Sequence, residues 1–220
     1  MLVDDVPGAF TIAFAVGVTL TRWTRAWEQR QRRIPLAFIA TDAISQVSVL
    51  HHLLADVSFV RLPVDRAGLS IVPLYDEVAV VIVPKEHPVS MLETATLADL
   101  EQDDRVAASL SAEDAVELVA AGGGIVILPQ SIARLYARKD VVSRPVTDAV
   151  GTSIAIAWLE ERTTAQVEEF VGIVRGRTAA SSRAVPTPKT PHSKAEKPRK
   201  ALTPQARAAQ RTRPRKPRGR

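Results

Sequence analysis

The chain has 220 residues, of which 46% are hydrophobic, 24% are charged and none is cysteine. This length accommodates one ordinary domain, or one domain of two small lobes followed by a tail. The lack of cysteine excludes disulfide bonds, zinc ribbons and thiol catalysis. The histidines, His51, His52, His87 and His192, show no metal-ligand spacing, so we expect neither a metal nor a cofactor.

The charge is divided unevenly along the chain. Residues 181–220 contain 13 Lys or Arg and a single acid, Glu196, which gives them a net charge of +12. The preceding 180 residues contain 16 bases and 23 acids, for a net charge of −7. An acidic body is not expected to form a basic groove for DNA, whereas the tail is suited to a polyanion.

The apolar run FTIAFAVGV at residues 10–18 is predicted to be a buried strand. It is too short to span a bilayer, which needs about 20 apolar residues. Acidic residues precede it, where a secretory signal needs positive charge. We therefore expect a cytoplasmic protein.

The first third of the chain alternates predicted strands and helices. Apolar runs predict strands at 10–16, 36–40 and 57–61, with helices over 19–33 and after Thr41-Asp42. The short connections predict a parallel sheet with right-handed crossovers. The first helix should bury Trp23 and Trp27, and the second should bury a stripe of Ile44, Val47, Leu50 and Leu54.

The rest of the body is predicted to form a second lobe and then return to the first. Apolar runs at 71–74 and 78–84 are followed by a break at 84–88, which indicates the crossing point. After the break come a weak strand at 105–109 and a helix over 111–124 with a Ser111 cap. Further strands are predicted at 125–128, 141–146 and 152–159, with helices from Pro129 and over 163–177, the last burying Val167, Phe170, Val171 and Val174.

The sequence contains no recognisable catalytic arrangement. No Gly-x-Ser-x-Gly elbow is present, and no base, nucleophile and orienting group assemble in the predicted elements. The triple glycine at 122–124 follows a helix and opens a strand, which is the reverse of a phosphate-binding loop. We expect no enzymatic activity.

Polar residues recur where predicted strands pass into helices, at 17–21, 41–45, 109–111 and 129–131. In an open α/β sheet such junctions form the usual ligand crevice, and helix N-termini there favour a carboxylate. Ordinary N-capping explains each junction separately and remains the alternative. Arg61, at the end of the third strand, offers a counter-charge to a ligand or is a solvated edge residue.

Three segments in this order resemble the effector-binding (substrate-binding) domain of LysR-type transcriptional regulators. They are FTIAFAVGVTLTRWTRAWEQRQRRIPLAFIAT, then VSFVRLPVDRAGLSIVPLYDEVAVVIVPKEHP, then ELVAAGGGIVILPQSIA. The resemblance covers residues 8–177 and implies a two-lobed α/β fold similar to type 2 periplasmic binding proteins. Its first lobe would comprise about 8–83 plus 150–177, and its second about 84–149, within a domain of residues 1–180.

The resemblance also implies a small effector, expected to be anionic, bound between the lobes, and it implies a homodimer. No winged helix-turn-helix is expected before Phe10, and the second lobe looks short between Arg105 and Ser111. The resemblance and the polar strand-to-helix junctions together give the candidate pocket residues Val18, Thr19, Thr21, Thr41, Asp42, Ser45, Arg61, Gly124, Pro129 and Ser131.

The tail is expected to be disordered and to contact nucleic acid. Seven of the 15 prolines lie in 181–220, with almost no large apolar residue. Its end, KPRGR, resembles the core of an AT-hook, in which Arg-Gly-Arg enters an A·T-rich minor groove. The candidate nucleic-acid contacts are Arg211, Arg213, Arg215, Lys216, Arg218 and Arg220.

These features predict a ligand-sensing regulatory domain that contacts DNA through its tail. Such contact would associate the protein with the nucleoid. The alternative is a small-molecule or protein-binding module with no DNA role, whose tail gives solubility or attachment to an acidic partner. A third reading is a degenerate family member without a working pocket.

Overall fold

The structure is a computed structural model that describes residues 8–177. Short 3₁₀ turns at Pro88–Met91, Ala98–Leu100 and Glu160–Arg162 join the main elements. In chain order these are β1 (Phe10–Ala15), α1 (Thr21–Arg30), β2 (Leu36–Thr41), α2 (Ser45–His51), β3 (Val57–Leu62), β4 (Leu69–Glu77), β5 (Ala79–Pro84), α3 (Ala112–Ala120), β6 (Val126–Pro129), α4 (Gln130–Leu135), β7 (Val141–Pro145), β8 (Thr152–Leu159) and α5 (Ala165–Val174).

The first sheet has five strands in the order β2-β1-β3-β8-β4. β1 runs parallel to β2 and β3, with Ile12 opposite both Phe38 and Val57, which confirms the predicted parallel arrangement of the first three strands. β8 returns from the far end of the chain and pairs antiparallel with β3 and β4. This sheet, with α1, α2 and α5, is called the first lobe below.

An aromatic cluster fills one face of the first sheet. Trp27 is completely buried and stacks on Phe10 at 4.7 Å between ring centroids, and Trp23 stacks on Phe59 at 4.8 Å. Phe170 of α5 packs against Phe10, Trp27 and Phe59. The prediction that both tryptophans belong to the core is therefore confirmed, as is the buried face of α5.

α2 packs on the other face of the first sheet through only part of the predicted stripe. Ile44 is 90% exposed and Leu54 is 53% exposed, because they lie outside this seven-residue helix. Of the predicted stripe, Leu50 is buried and Val47 is partly buried against the same core, and Gln46 and Val49 are buried in addition. The Gln46 amide donates to the carbonyl of Arg61 and its oxygen accepts from the Arg61 N–H, which turns this side of α2 toward β3.

The second sheet is antiparallel, with the order β6-β5-β7, and forms the second lobe with α3 and α4. The expected boundary after residue 83 is wrong, since β5 is the central strand of this sheet and only Val78 separates it from β4. The boundary expected near 149–150 lies in the loop between β7 and β8. The residues buried on the two faces of the second sheet are aliphatic. They include Val81, Leu100 and Ile125 on one face and Ile82, Val116 and Val119 on the other.

The weak strand predicted at 105–109 is absent. Arg105 forms a single bridge to Ile125, and the Val106 N–H donates to the Ile125 carbonyl at 2.9 Å. Beyond this bridge the segment leaves the edge of β6 and leads into α3, so no continuous ladder forms. The described part of the second lobe therefore contains a three-stranded sheet.

Candidate functional site

A cleft of about 780 Å³ lies where the loop after β1, the end of β4 and the start of α4 meet. The two lobes therefore both contribute to its walls. Apolar and polar groups alternate around it. The lining residues are Phe14, Val16, Gly17, Val18, Thr19, Ala40, Tyr75, Asp76, Glu77, Val78, Gln130, Ser131, Arg134 and Leu135.

A buried ion pair closes the base of this cleft. Arg61 Nε lies 2.7 Å from Glu77 Oε2, and their side chains are 17% and 4% exposed. The Arg61 guanidinium also donates to the Val16 carbonyl and to Ser131 Oγ, both at 3.1 Å. Ser131 Oγ donates to Glu77 Oε1, and Thr152 Oγ1 donates to Glu77 Oε2 at 3.1 Å. We call these residues the floor network; Ser131 joins the second lobe to it.

The floor network keeps Glu77 ionised. Burial by itself would raise the pKa of the Glu77 carboxyl, but hydrogen bonds from Arg61, Ser131 and Thr152 outweigh it and hold this pKa below the ordinary value of 4.5. Glu77 therefore carries its negative charge at neutral pH. The charges of Arg61 and Glu77 cancel, so the floor has polar groups but no net charge.

Gly17 brings the loop after β1 against α4. Its φ of +90° is one that other residues rarely adopt, and a Cβ built on it would lie 2.8 Å from Ser131 Oγ. Any side chain at this position would push the first lobe away from Ser131. The contact between the lobes at the floor therefore depends on a glycine.

The start of α1 follows the wall residues Val18 and Thr19 and lacks a side-chain cap. Leu20 occupies the N-cap position without a capping hydrogen bond, and the first turn contains no acid. Elsewhere in residues 8–177, Ser111 caps α3 and Thr164 caps α5 through backbone N–H groups. The N–H groups of the first turn of α1 thus have no side-chain acceptor, and this end of the helix favours negative charge.

The remaining polar wall residues carry mixed charge. Burial and the nearby charge of Glu77 raise the pKa of the Tyr75 hydroxyl, which therefore stays protonated at neutral pH. Asp76 is exposed and accepts a hydrogen bond from Ser153 at 2.5 Å. Arg134 of α4 is exposed and, within residues 8–177, has no carboxylate at ion-pair distance.

The structure brings four of the candidate pocket residues to this site. Val18, Thr19 and Ser131 line the cleft directly. Arg61 lies behind its surface in the floor network, where its partner is Glu77. Arg61 is therefore neither a solvated edge residue nor an unpaired counter-charge.

The polar groups of the junction at residues 41–45 form hydrogen bonds with one another and do not line the cleft. Asp42 Oδ1 accepts hydrogen bonds from the Ile44 and Ser45 N–H groups at 3.0 and 2.7 Å, and Ser45 Oγ accepts from the Asp42 N–H at 3.1 Å. The hydrogen bond from the Ser45 side chain is the main reason that the pKa of Asp42 is lowered. Ordinary capping explains Asp42 and Ser45. Thr41 is 2% exposed and does not line the cleft.

Three other predicted residues also lie off the cleft. Gly124 has a φ of +115°, and a Cβ there would collide with the carbonyl of Asp104, so this glycine serves packing within the second lobe. Pro129 precedes α4 and pairs with Ala79 of β5. Thr21 lines a shallow depression beside the cleft, along the outer side of α1.

Sequence reasoning missed several wall residues, above all Tyr75, Asp76, Glu77 and Arg134. Tyr75, Asp76 and Glu77 lie between the apolar runs at 71–74 and 78–84, and in the structure they end β4. An acid at the end of an apolar strand, near a predicted ligand crevice, was the available signal for Glu77. Nothing local in the sequence marks Arg134.

Residues 8–177 lack two other kinds of feature. No group of three or more His, Asp or Glu side chains among them is placed to hold a metal ion. None of their helices combines the length and apolar character needed to cross a bilayer. The six candidate nucleic-acid contacts, from Arg211 to Arg220, lie outside the described residues.

The two sheets, the cleft between them and the return of β8 to the first sheet define a two-lobed binding domain. The family profile of the LysR substrate binding domain matches residues 6–110 and 104–179. The chain therefore belongs to the family of LysR substrate-binding domains, which are regulatory and not catalytic modules. No curated protein sequence matches the chain.

Solved structures support the fold at low sequence identity. The BenM effector-binding domain with its effector benzoate is 19% identical, with a TM-score of 0.65 over 76% of this chain and 90% of that one. Corynebacterium glutamicum OxyR, as a C206 mutant, is 18% identical, with a TM-score of 0.64 over 76% of this chain and 64% of that one. Full-length CbnR complexed with its target DNA is also 18% identical, with a TM-score of 0.64 over 76% and 70% of the two chains.

Proposed function

We propose that this domain senses a small organic anion, which binds in the cleft between the two lobes. The observation on which the proposal rests is the cleft itself, with walls from both lobes and with the wall residue Thr19 just before the uncapped start of α1 at Thr21. Binding there would alter the spacing of the lobes, and a regulator of this family would transmit that change. The protein would act in the cytoplasm.

The charge distribution supports an anion near the start of α1. The first-turn N–H groups of this ten-residue helix have no side-chain acceptor, and no acid lies among them. Arg134 on the facing lobe adds a cation without an ion-pair partner in residues 8–177. Glu77 is already neutralised by Arg61, which leaves Asp76 as the exposed acid of the lining.

A panel of small carboxylates, tested by thermal unfolding of the full chain, examines this proposal. Benzoate is a suitable first probe because it is the effector in the BenM domain of the same fold. A carboxylate at 100 times its Kd stabilises by about 2.7 kcal/mol, which raises the Tm by roughly 5–10 °C in a protein of this size. The corresponding neutral amides should raise it much less.

Variants of the wall show whether the effect arises in the cleft. Arg134→Met should weaken carboxylate binding about tenfold, because it removes one close favourable charge. Arg162→Met, which removes an exposed cation outside the cleft, is the matched control and should bind as the wild type does. Equal stabilisation by amides and carboxylates, or equal weakening by both variants, would contradict an anion site in this cleft.

We further propose that nucleic acid binds to residues 181–220 and not to the body. The support is the charge, +12 in this segment against −7 in residues 1–180. Each phosphate neutralised on duplex DNA should add about 0.9 to the negative slope of log affinity against log salt concentration. Binding should therefore be steeply salt-dependent and weakly selective for sequence.

Duplex binding at two salt concentrations compares the full chain with a variant whose six terminal cations are changed to Gln. These are Arg211, Arg213, Arg215, Lys216, Arg218 and Arg220. The variant should bind more weakly and with a shallower salt slope. Changing Arg218 and Arg220 alone should abolish any A·T preference if they enter the minor groove. Unchanged binding by the six-fold variant would favour the module without a tail-borne DNA role.

A further inference from the structure

We propose that Glu77 determines which anions the cleft accepts: its buried carboxylate occupies Arg61 from within the chain, so the floor rejects a second anionic group and the effector is a monoanion. The inference rests on the proposed function, because it concerns the selectivity of the same cleft. It names the class of ligand, a monocarboxylate with a neutral far end, and the residue responsible.

The first step is that Arg61 has no charge to offer a ligand. It is the one cation of the floor network, and Glu77 holds it through contacts at 2.7 Å to Nε and 3.5 Å to one terminal nitrogen. The other contacts of the guanidinium go to the Val16 carbonyl and Ser131 Oγ. Glu77 lines the cleft and Arg61 does not, so a ligand carboxylate at the floor meets Glu77 and not the guanidinium behind it.

The second step is that Glu77 has no alternative position at low cost. Its side chain is 4% exposed, and Ser131 and Thr152 donate to its two oxygens in addition to Arg61. Moving the carboxylate away would leave these donors, buried around it, without their acceptor. Glu77 therefore stays in place when a ligand enters.

The third step concerns the electrostatic repulsion that a second anionic group of the ligand would meet in the cleft. Although Arg61 and Glu77 have no net charge as a pair, Glu77 is the member that lines the cleft, and its neighbour Asp76 at the end of β4 lines it as well. Repulsion between like charges is stronger at a partly buried site than in water. An anion at the start of α1 is thus compatible with the cleft, whereas a dianion with its second charge toward the floor is not.

Three probes that differ at one position test this selectivity. Benzoate carries a single carboxylate, terephthalate adds a second at the para position, and 4-carbamoylbenzoate replaces the second carboxylate with a neutral amide of similar size. With the full chain, calorimetry should show terephthalate binding at least about tenfold more weakly than 4-carbamoylbenzoate, since like-charge contact in an interface is strongly unfavourable. The amide controls for size.

Glu77→Gln should remove or reverse this discrimination, because it keeps the shape of the side chain and leaves Arg61 with a charge for the ligand. The affinity ratio of terephthalate to 4-carbamoylbenzoate should rise by about tenfold or more. Glu93→Gln makes the same charge change in an exposed loop and should leave the ratio unaltered. Circular dichroism and thermal unfolding establish that each variant is folded.

If Glu77→Gln fails to fold, the variant Arg61→Met with Glu77→Gln replaces it, since neither buried charge is then left alone. In that protein terephthalate and 4-carbamoylbenzoate should bind within about threefold of each other. Binding of benzoate with an unchanged ratio in the Glu77 variants would overturn the inference and leave the proposed function standing. No binding of any probe to wild type or variants would overturn both.

Discussion

The two lobes bury their apolar residues in different ways. The first lobe is built around five stacked or edge-on aromatic rings on a five-stranded sheet. The second lobe has three strands, and its buried residues are aliphatic. Aromatic side chains bury about 150–250 Å² each, which is more than a valine or an alanine can bury.

This difference indicates that the first lobe is the stable platform of the domain and the second lobe the part that yields. Stability is not uniform within a protein, and small units with few buried contacts open at lower free energy. The floor network, with Ser131 in the second lobe and Arg61 and Glu77 in the first, therefore joins the more stable lobe to the less stable one.

The largest effect should come from the aromatic cluster. Trp27 is completely buried and its Nε1 donates to the Ile34 carbonyl at 3.2 Å, so Trp27→Ala should reduce the free energy of unfolding by about 4 kcal/mol. Ile82→Ala, in the central strand of the second sheet, should cost about 3 kcal/mol. Urea denaturation measures both losses.

Hydrogen exchange then distinguishes where each loss is felt. Trp27→Ala should accelerate exchange throughout residues 8–177, whereas Ile82→Ala should mainly affect amides of the second lobe. If Ile82→Ala accelerates both lobes equally, the lobes unfold as one cooperative unit and the contrast between platform and yielding lobe fails.

Removing the charge of Glu77 should produce the next largest effect, at the junction of the lobes. Glu77→Gln leaves Arg61 without its counter-ion and should cost about 3 kcal/mol at neutral pH. Because the folded pKa of Glu77 is below 4.5, its contribution is present above that pH and is lost as pH falls through the folded value. The difference in unfolding free energy between wild type and variant should thus shrink in acid, which pH-dependent urea titrations would detect. A difference independent of pH would show that the ionised carboxylate is not the cause.

Gly17→Ala should cost about 2 kcal/mol, from its positive φ and from the approach to Ser131. Gly68 is a matched control, since its φ of +67° carries the same backbone cost but nothing lies within 4 Å of a Cβ there. Gly68→Ala should therefore cost only about 1 kcal/mol. Combining Gly17→Ala with Ser131→Gly should recover part of the excess, measured as a coupling energy in a double-mutant cycle. Equal losses at the two glycines would mean that the lobes do not touch tightly at Gly17.

The smallest effect concerns a buried hydroxyl in the first lobe. Thr41 Oγ1 has no hydrogen-bond partner among the described residues, so Thr41→Val should be neutral or stabilise by up to about 1 kcal/mol. Ser58 is equally buried but donates to the Gln46 carbonyl at 2.7 Å, and Ser58→Ala should destabilise by about 1 kcal/mol. Thermal unfolding compares the two. A loss of stability in Thr41→Val would reveal a partner for its hydroxyl.

Most of the strands could be predicted because their apolar runs are long and bounded by turn residues. β8 begins and ends where the sequence places it, at residues 152 and 159. α2 was predicted less well: Leu50 is buried as expected, but the bonds of Gln46 to the backbone of β3 bring Gln46 to the buried face, which the spacing of apolar residues does not indicate. The position of β5 also depends on pairing with β6 and β7, which a local pattern does not contain.

The site could be predicted only in part for the same reason. Val18, Thr19 and Ser131 were found because polar residues at strand-to-helix junctions are a local signal. Arg61 and Glu77 are 16 residues apart in sequence, and Ser131 and Glu77 are 54 residues apart, so no local pattern indicates that they pair. Gly124 resembled a pocket residue in sequence, but its φ and the nearby Asp104 carbonyl explain it by packing.

The place of β8 in the first sheet has a consequence for how the protein emerges from the ribosome. β8 lies between β3 and β4, yet 74 residues, which include the whole second sheet, separate β4 from β8. At a synthesis rate of roughly 5–20 residues per second, β4 waits about 4–15 s for β8, its one neighbouring strand within residues 8–177. The second sheet can be complete before the first one closes. During that interval the nascent chain presents unpaired strand edges, the kind of surface that chaperones protect.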